Sequence, residues 1–374
     1  MKHNRSMSST RWFSIACFAC LTLSVDASAQ TQNPPSTLPT KPKATDVAPS
    51  GQSKATPAEA TDERKKQQVF ILPLDGMVGV GLRHDEMEQL EKIADKYGPG
   101  QIFIIRINSN GGLVIEGDKI AESLTRIKNK HRLVAWIEKA ISGGAFTALY
   151  ANEMYFMPEA ALGSITMLSG RTEVTAVRED WKERVAQACQ TGDRDPLIGP
   201  AMVHSEVELS YDKVGDKVTF YPNMKGKYPL SNREENLDFS AQSAEHCGFS
   251  DGTAATEADL FRELGLDDPT KFEVNNAGKV ISTKWQKLIK GAKDEVPLLL
   301  QKRGIEGTSQ GGIAFLQARI RNTQKIIDWF KKCKAAMVYE LNIPEEAIEQ
   351  FEAEIVQMRK QIKEMQNAAA GARN

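Results

Sequence analysis

The stretch Lys139-Ala-Ile-Ser-Gly-Gly-Ala-Phe-Thr-Ala-Leu-Tyr-Ala-Asn-Glu-Met-Tyr-Phe-Met-Pro-Glu-Ala-Ala-Leu-Gly-Ser-Ile-Thr166 decides how the rest of the chain is read. Ahead of it, Leu133-Val-Ala-Trp-Ile137 is short, apolar and partly β-branched, which predicts a buried strand. That strand delivers Ser142 onto a tight turn made by Gly143 and Gly144. Ala145 to Ala151 is apolar nearly all round and helix-compatible, so Ser142 is expected at the start of a buried helix. A helix start offers unpaired N–H groups and the positive end of a dipole, which suits an oxygen that becomes negative during acyl transfer. The plain alternative is a helix cap, because Ser and Gly are ordinary residues at such a place.

Working outward toward the N-terminus, Val69 to Leu74 predicts a strand ended by Asp75-Gly76. Glu86 to Tyr97 carries Met87, Leu90, Ile93 and Ala94 at helical spacing. A second strand, Ile102 to Ile107, runs into Asn108-Ser-Asn-Gly-Gly112, and Ile115 to Ile127 is again helical in period. Strands alternating with helices argue for βαβ units and a mostly parallel sheet. Functional groups of such a sheet gather beyond the carboxyl ends of its strands, where both Asn110-Gly111-Gly112 and Ser142-Gly143-Gly144 fall. The Gly112 and Gly143 N–H groups could there hold an oxyanion formed when Ser142 attacks a carbonyl.

Toward the C-terminus, Val177 to Cys189 predicts a charged amphipathic helix with Trp181, Lys182 and Val185. A hairpin is expected between Glu206–Leu209 and Lys217–Tyr221, joined through Val214-Gly215-Asp216. Short helices follow at Ser240–Cys247 and Glu257–Leu264, each stopped by glycine. From about Asp267 the composition becomes Lys- and Gln-rich, and Ile313 to Tyr339 predicts a long helix. In the last helix Ile348, Phe351, Ile355, Met358, Ile362 and Met365 alternate three- and four-residue steps. Fewer than four heptads are present, so this seam fits packing on the chain's own preceding helix as well as pairing between molecules.

The 374 residues suggest one sizeable α/β domain with additional segments. Lys and Arg total 48 against 49 Asp and Glu, a balance that gives no reason to expect nucleic acid as a partner. Lys2, Arg5 and Arg11, the apolar run Trp12 to Val25 and Ala27-Ser28-Ala29 compose a signal-peptide pattern over residues 1–29. Its removal takes away three basic residues and one acid, Asp26, and moves the net charge from −1 to −3. A periplasmic or secreted protein is therefore expected. Residues 30–66 are rich in Pro, Ser and Thr, with almost no large apolar side chains, and predict a disordered tether. Cys189, Cys247 and Cys333 form neither a disulfide framework nor a zinc pattern, and no metal or cofactor is expected.

Taken together, Ile107-Asn-Ser-Asn-Gly-Gly112, Ala140-Ile-Ser-Gly-Gly144 and Met157-Pro-Glu-Ala-Ala-Leu-Gly-Ser-Ile165 resemble motifs of the ClpP/crotonase superfamily. With Asp238 to Gly252, they are most similar to its signal peptide peptidase A and NfeD-type serine protease branch. The resemblance covers roughly residues 67–266 and leaves 267–374 as a helical extension with a short coiled-coil-like segment. It implies a spiral of ββα units, a Ser142 nucleophile, and Gly112 and Gly143 in an oxyanion hole. It also implies a peptide or protein substrate, with membrane proteins among the possible substrates or partners, and a homo-oligomer.

The general base is the departure from the pattern. Relatives of this branch use a lysine some forty to fifty residues after the serine, and in that window stands Lys182. Family lysines tend to begin the helix, where this chain has Val177-Arg178, and an arginine stays protonated. His204 and His246 are reserve candidates. Two functions follow: a serine endopeptidase of the cell envelope with a Ser142–Lys182 dyad, or a catalytically inactive peptide-binding or assembly protein of the same fold. An acyl-CoA reaction of the crotonase kind fits a secreted protein less well.

Overall fold

The computed structural model describes residues 66–305 and 312–372. The expected signal peptide and, Lys66 apart, the expected tether lie outside the described residues. The N-terminal half alternates strand and helix: β1 (Gln67–Asp75), α1 (His84–Ala94), β2 (Ile102–Ser109), α2 (Val114–Lys130), β3 (Arg132–Ile141), α3 (Gly143–Ala148), β4 (Glu153–Phe156) and β5 (Ala161–Gly163). A two-residue pair, β6 (Leu168–Ser169) and β7 (Thr172–Glu173), precedes α4 (Arg178–Thr191) and α5 (Ile198–Val203). Then come β8 (Ser210–Val214), β9 (Lys217–Tyr221), β10 (Tyr228–Pro229), β11 (Asp238–Ser240), α6 (Ala241–His246), β12 (Gly252–Thr253), α7 (Glu257–Glu263) and β13 (Phe272–Asn275). Three long helices end the chain: α8 (Ala277–Ile305), α9 (Ile313–Ala335) and α10 (Ala347–Gly371).

Among the described residues the main sheet has eight strands, in the order β11-β5-β3-β2-β1-β13, with β4 also on β3 and β12 on β4. All its pairs are parallel except β11 against β5, so the sheet is mixed. Both faces are covered, as parallel strands require. Phe70, Leu72 and Leu74 of β1 enter the larger core with α1, α2 and α3, while Val69 and Ile71 point to the opposite face under Leu260 of α7. β13 comes from within the 267–374 stretch and adds a sheet edge beside β1.

The register between β2 and β3 shifts between Ile107 and Asn108: Ile107 faces Ile137, but Asn108 faces Lys139, leaving Glu138 as the extra residue. The bulge turns the end of β3 so that Ala140 and Ile141 pair with β5 after Val134–Ile137 have paired with β4. It sits immediately before both glycine turns.

The small hairpin forms four residues later than expected, with β8 at Ser210–Val214 rather than Glu206–Leu209. Gly215, at φ 61°, and Asp216 make a two-residue turn that sets Val214 opposite Lys217, and pairing counts back from there. α8 falls within the expected helical extension, but no helix was placed at its residues because Gly278, Gly291 and Pro297 interrupt its pattern. Two of these interruptions serve packing. A side chain at Gly278 would strike the Ile71 carbonyl, and one at Gly291 would lie 2.9 Å from the Trp329 ring. The heptad seam packs within the chain: Phe351, Ile355 and Met358 are buried with Val296, Ile327 and Phe330, whereas Met365 is exposed.

Candidate active site

Ser142 sits at the junction of β3 and α3 with φ 53° and ψ −120°, a conformation that L-residues rarely adopt. Although it occupies the position before the helix, its side chain makes no capping hydrogen bond. The cap explanation of this serine is therefore unsupported, since a cap uses extended backbone and spends its hydroxyl on the helix. The turn is anchored instead by the backbone, with Ser142 N–H donating to the Gly163 carbonyl at 2.9 Å and Phe146 N–H to the Ser142 carbonyl at 3.0 Å.

The second glycine turn lies directly against it. A Cβ on Gly111, whose φ is 96°, would be 2.6 Å from Ser142 Cβ and 2.9 Å from its Oγ. A Cβ on Gly143 would lie 3.5 Å from the Gly112 nitrogen, so the two amides expected to share an oxyanion are neighbours. Neither donates a hydrogen bond within the chain among the described residues. Val78, in the segment after β1, holds this arrangement by accepting from Leu113 N–H at 3.0 Å and donating to the Gly111 carbonyl at 2.9 Å. The 77–83 segment was not anticipated as part of the site, and its only sequence signal is the Asp75-Gly76 turn that opens it.

Beyond β5, Ser164 also has a positive φ, 47°, and its hydroxyl donates to Asp238 at 2.9 Å. Burial pushes the Asp238 carboxyl above its usual range, against the opposing hydrogen bond from Ser164. α4 docks onto this region through Trp181, which stacks on Phe146 of α3 at 5.3 Å and donates from Nε1 to the Ile165 carbonyl at 2.6 Å.

Lys182, the next residue, keeps 17% of its side chain exposed and donates to Glu179 on its own helix at 2.9 Å. No hydrogen bond joins it to Ser142 among the described residues. Arg178 clamps Glu173 through two hydrogen bonds of 2.5 and 2.8 Å, which tie α4 to β7 and hold the Glu173 carboxyl below its usual range. His204 pairs with Glu206 at 3.5 Å, and His246 bonds the Tyr211 hydroxyl. Neither histidine reaches Ser142 by a hydrogen bond among the described residues.

Cys189, Cys247 and Cys333 are free and buried, and burial pushes the Cys189 thiol up to about 12 and the Cys247 thiol up to about 11. One group among the described residues has metal-ligand character: His84, Asp85 and Glu116 bring three donor atoms within 4.8 Å of one another. These donors already have partners, Asp85 in Arg83 and Glu116 in His84.

The family model for the N-terminal domain of NfeD1b matches residues 68–274. Membrane protein NfeD1b of Bacillus subtilis (strain 168) is 25% identical over 206 residues, which are 54% of this chain and 42% of that protein. The chain thus spans about two-fifths of the length of the curated relative it matches. Among solved structures, two mutants of the 1510-N membrane-bound stomatin-specific protease align at 13% and 14% identity, with TM-scores of 0.40 and 0.42. They cover 53% and 59% of this chain and 84% and 99% of their own, and the second is in complex with a substrate peptide. ClpP1 from Listeria monocytogenes aligns at 18% identity with a TM-score of 0.34, over 51% of this chain and 94% of its own.

The membrane-protein name of the relative corrects the expectation of a periplasmic or secreted protein. That expectation rested on the signal-peptide pattern of residues 1–29, which lie outside the described residues. No helix among the described residues is long and apolar enough to cross a membrane. The mixed α/β sheet and the helical C-terminal region agree with the fold that the motifs implied. The chain belongs to the NfeD1b N-terminal domain family.

Proposed function

We propose that this chain is a serine-type endopeptidase that acts on peptides or membrane-associated proteins, with Ser142 as nucleophile and the Gly112 and Gly143 amides as oxyanion donors. The observation that carries the proposal is the backbone of Ser142, held at φ 53° and ψ −120° with its hydroxyl spent on no cap. Strain of this kind persists where the surroundings over-determine it, and it aims the hydroxyl out of the turn. The two unspent amides beside it suit the tetrahedral intermediate, and each such donor contributes on the order of 100-fold in rate.

In this proposal Lys182 is the base. It gives up its contact with Glu179 and one proton to solvent, and as the neutral amine takes the Ser142 proton while Oγ attacks the carbonyl, then returns that proton to the leaving amine. Removal of Glu179 should leave the dyad intact, because that carboxylate is 80% exposed and stabilises the charged lysine. The pairing of Lys182 with Glu179 favours a second reading, in which the fold binds peptides or assembles without hydrolysis.

A fluorophosphonate probe separates the two. The peptidase proposal expects labelling of the wild-type protein, loss with Ser142→Ala, and loss with Lys182→Ala while the fold is kept. Equal, weak labelling of wild type and Ser142→Ala, with no cleavage of unfolded casein, sinks it. Assembly into a homo-oligomer belongs to the same proposal, and light scattering that gives a monomer mass at micromolar concentration would remove it.

A further inference from the structure

A cavity of 530 Å³ opens one residue from the glycine turns and is walled on its far side by the C-terminal helices. Gly79 lines it, next to Val78, and a Cβ on Gly143 would stand 3.2 Å from the Val78 side chain. The opposite wall is the end of α9 and the turn after it. α9 is held there because Cys333 and Ala336 are buried with Val80. The helical extension therefore reaches the edge of the candidate active site.

The charges of this cavity do not cancel. Asp85 is taken by Arg83 and Glu345 by Lys334, the latter at 2.6 Å, while Glu116 is hydrogen-bonded to His84 and keeps its charge. Lys119 of α2 and Lys331 and Lys332 of α9 also line it, and among the described residues no carboxylate pairs with any of the three. All three are exposed. Three exposed cations around one concavity, of which Lys332 also lies 5.3 Å from the Trp329 ring, raise the local concentration of anions.

We infer that this cavity receives an acidic side chain of the bound peptide, an Asp or Glu a few residues from the bond that Ser142 would attack. Adjacency selects a peptide as the occupant. Consecutive residues of an extended chain advance about 3.3 Å, so a strand lying along the glycine turns places a side chain beside Gly79 within one to three residues. Charge complementarity selects its acid. The inference rests on the peptide-site reading of the glycine turns but not on hydrolysis, and it makes α9 a determinant of specificity.

The test uses the full chain carrying Ser142→Ala, with fluorescence anisotropy of labelled extended peptides that differ only by Glu against Gln at each position in turn. At one or two positions Glu should bind about 3- to 10-fold more tightly at low salt, the gain expected of two to three exposed ion pairs. The preference should shrink toward unity at 1 M salt, where the Debye length is about 3 Å. Combined Lys331→Glu and Lys332→Glu should abolish or reverse it while the Gln peptide binds as before. Both sites are exposed, and an unchanged thermal melt confirms the fold.

Equal affinity for Glu and Gln at every position overturns the inference, as does a preference that survives the charge reversal. Vesicles containing phosphatidylglycerol provide the remaining arm. If they bind with the same lysine dependence while the peptides show none, the cations face a membrane and the inference is wrong. Absence of probe labelling in the wild-type protein would count against the peptidase proposal alone.

Discussion

Replacing Ser142 by glycine should stabilise the protein while destroying the activity proposed for it. At φ 53° and ψ −120° a serine pays steric strain that glycine does not, on the order of 1–3 kcal/mol. The opposing term is the greater freedom of glycine in the unfolded chain, about 0.4–1 kcal/mol. The hydroxyl makes no capping bond, so its loss adds little. The net expectation is a gain of about 1 kcal/mol for Ser142→Gly, and no more than about 0.5 kcal/mol either way for Ser142→Ala, which keeps the strain. Thermal unfolding followed by circular dichroism reads this as a rise of roughly 2–4 °C for the glycine variant. Neither variant should react with a fluorophosphonate. A glycine variant less stable than the alanine variant would refute the reasoning, since it would mean that Ser142 is held by contacts rather than strained by its backbone.

Gly111→Ala places a methyl group 2.6 Å from Ser142 Cβ at a φ of 96°, and should cost about 1–3 kcal/mol and remove probe labelling. An unchanged melt would mean that the two turns are farther apart in solution. Glu86, only 3% exposed and without a hydrogen-bond partner for either oxygen, is pushed up to about 8 by burial, against the opposing pull of Arg83. Its contribution to stability is fully present below about pH 4.5 and is lost as pH rises through about 8, a change of at most about 5 kcal/mol. Glu86→Gln should flatten denaturant-derived stability across that window, and a slope equal to wild type would exonerate Glu86. Arg194, buried, donates to the carbonyls of Ala151, Gly192 and Phe249 at 2.5 to 2.9 Å. Arg194→Met strands all three and should lower stability by at least about 3 kcal/mol, or roughly 10 °C in Tm. A smaller loss would show that water replaces the guanidinium.

Ser142-Gly143-Gly144 after an apolar strand, Gly111-Gly112 after another, and helices between them were enough to predict a parallel α/β sheet with both turns at one edge. These features are local: strand and helix periods, and glycines where no side chain fits, are written in consecutive residues. α8 lacked such a signature because its glycines serve distant partners, the Ile71 carbonyl and Trp329, which no local pattern names. The β8 register depended on a two-residue turn whose left-handed glycine outweighed the alternation at residues 206–209. Lys182 could be named from spacing, but its partner Glu179 could not be told from any other carboxylate on a charged helix. Tertiary structure alone decided three things: that the Ser142 hydroxyl caps nothing, that Val78 binds the two glycine turns together, and that α9 brings Lys331 and Lys332 to the edge of the site beside Lys119 of α2. Each is a contact between residues far apart in the chain, and such contacts are set by packing and burial rather than by sequence period.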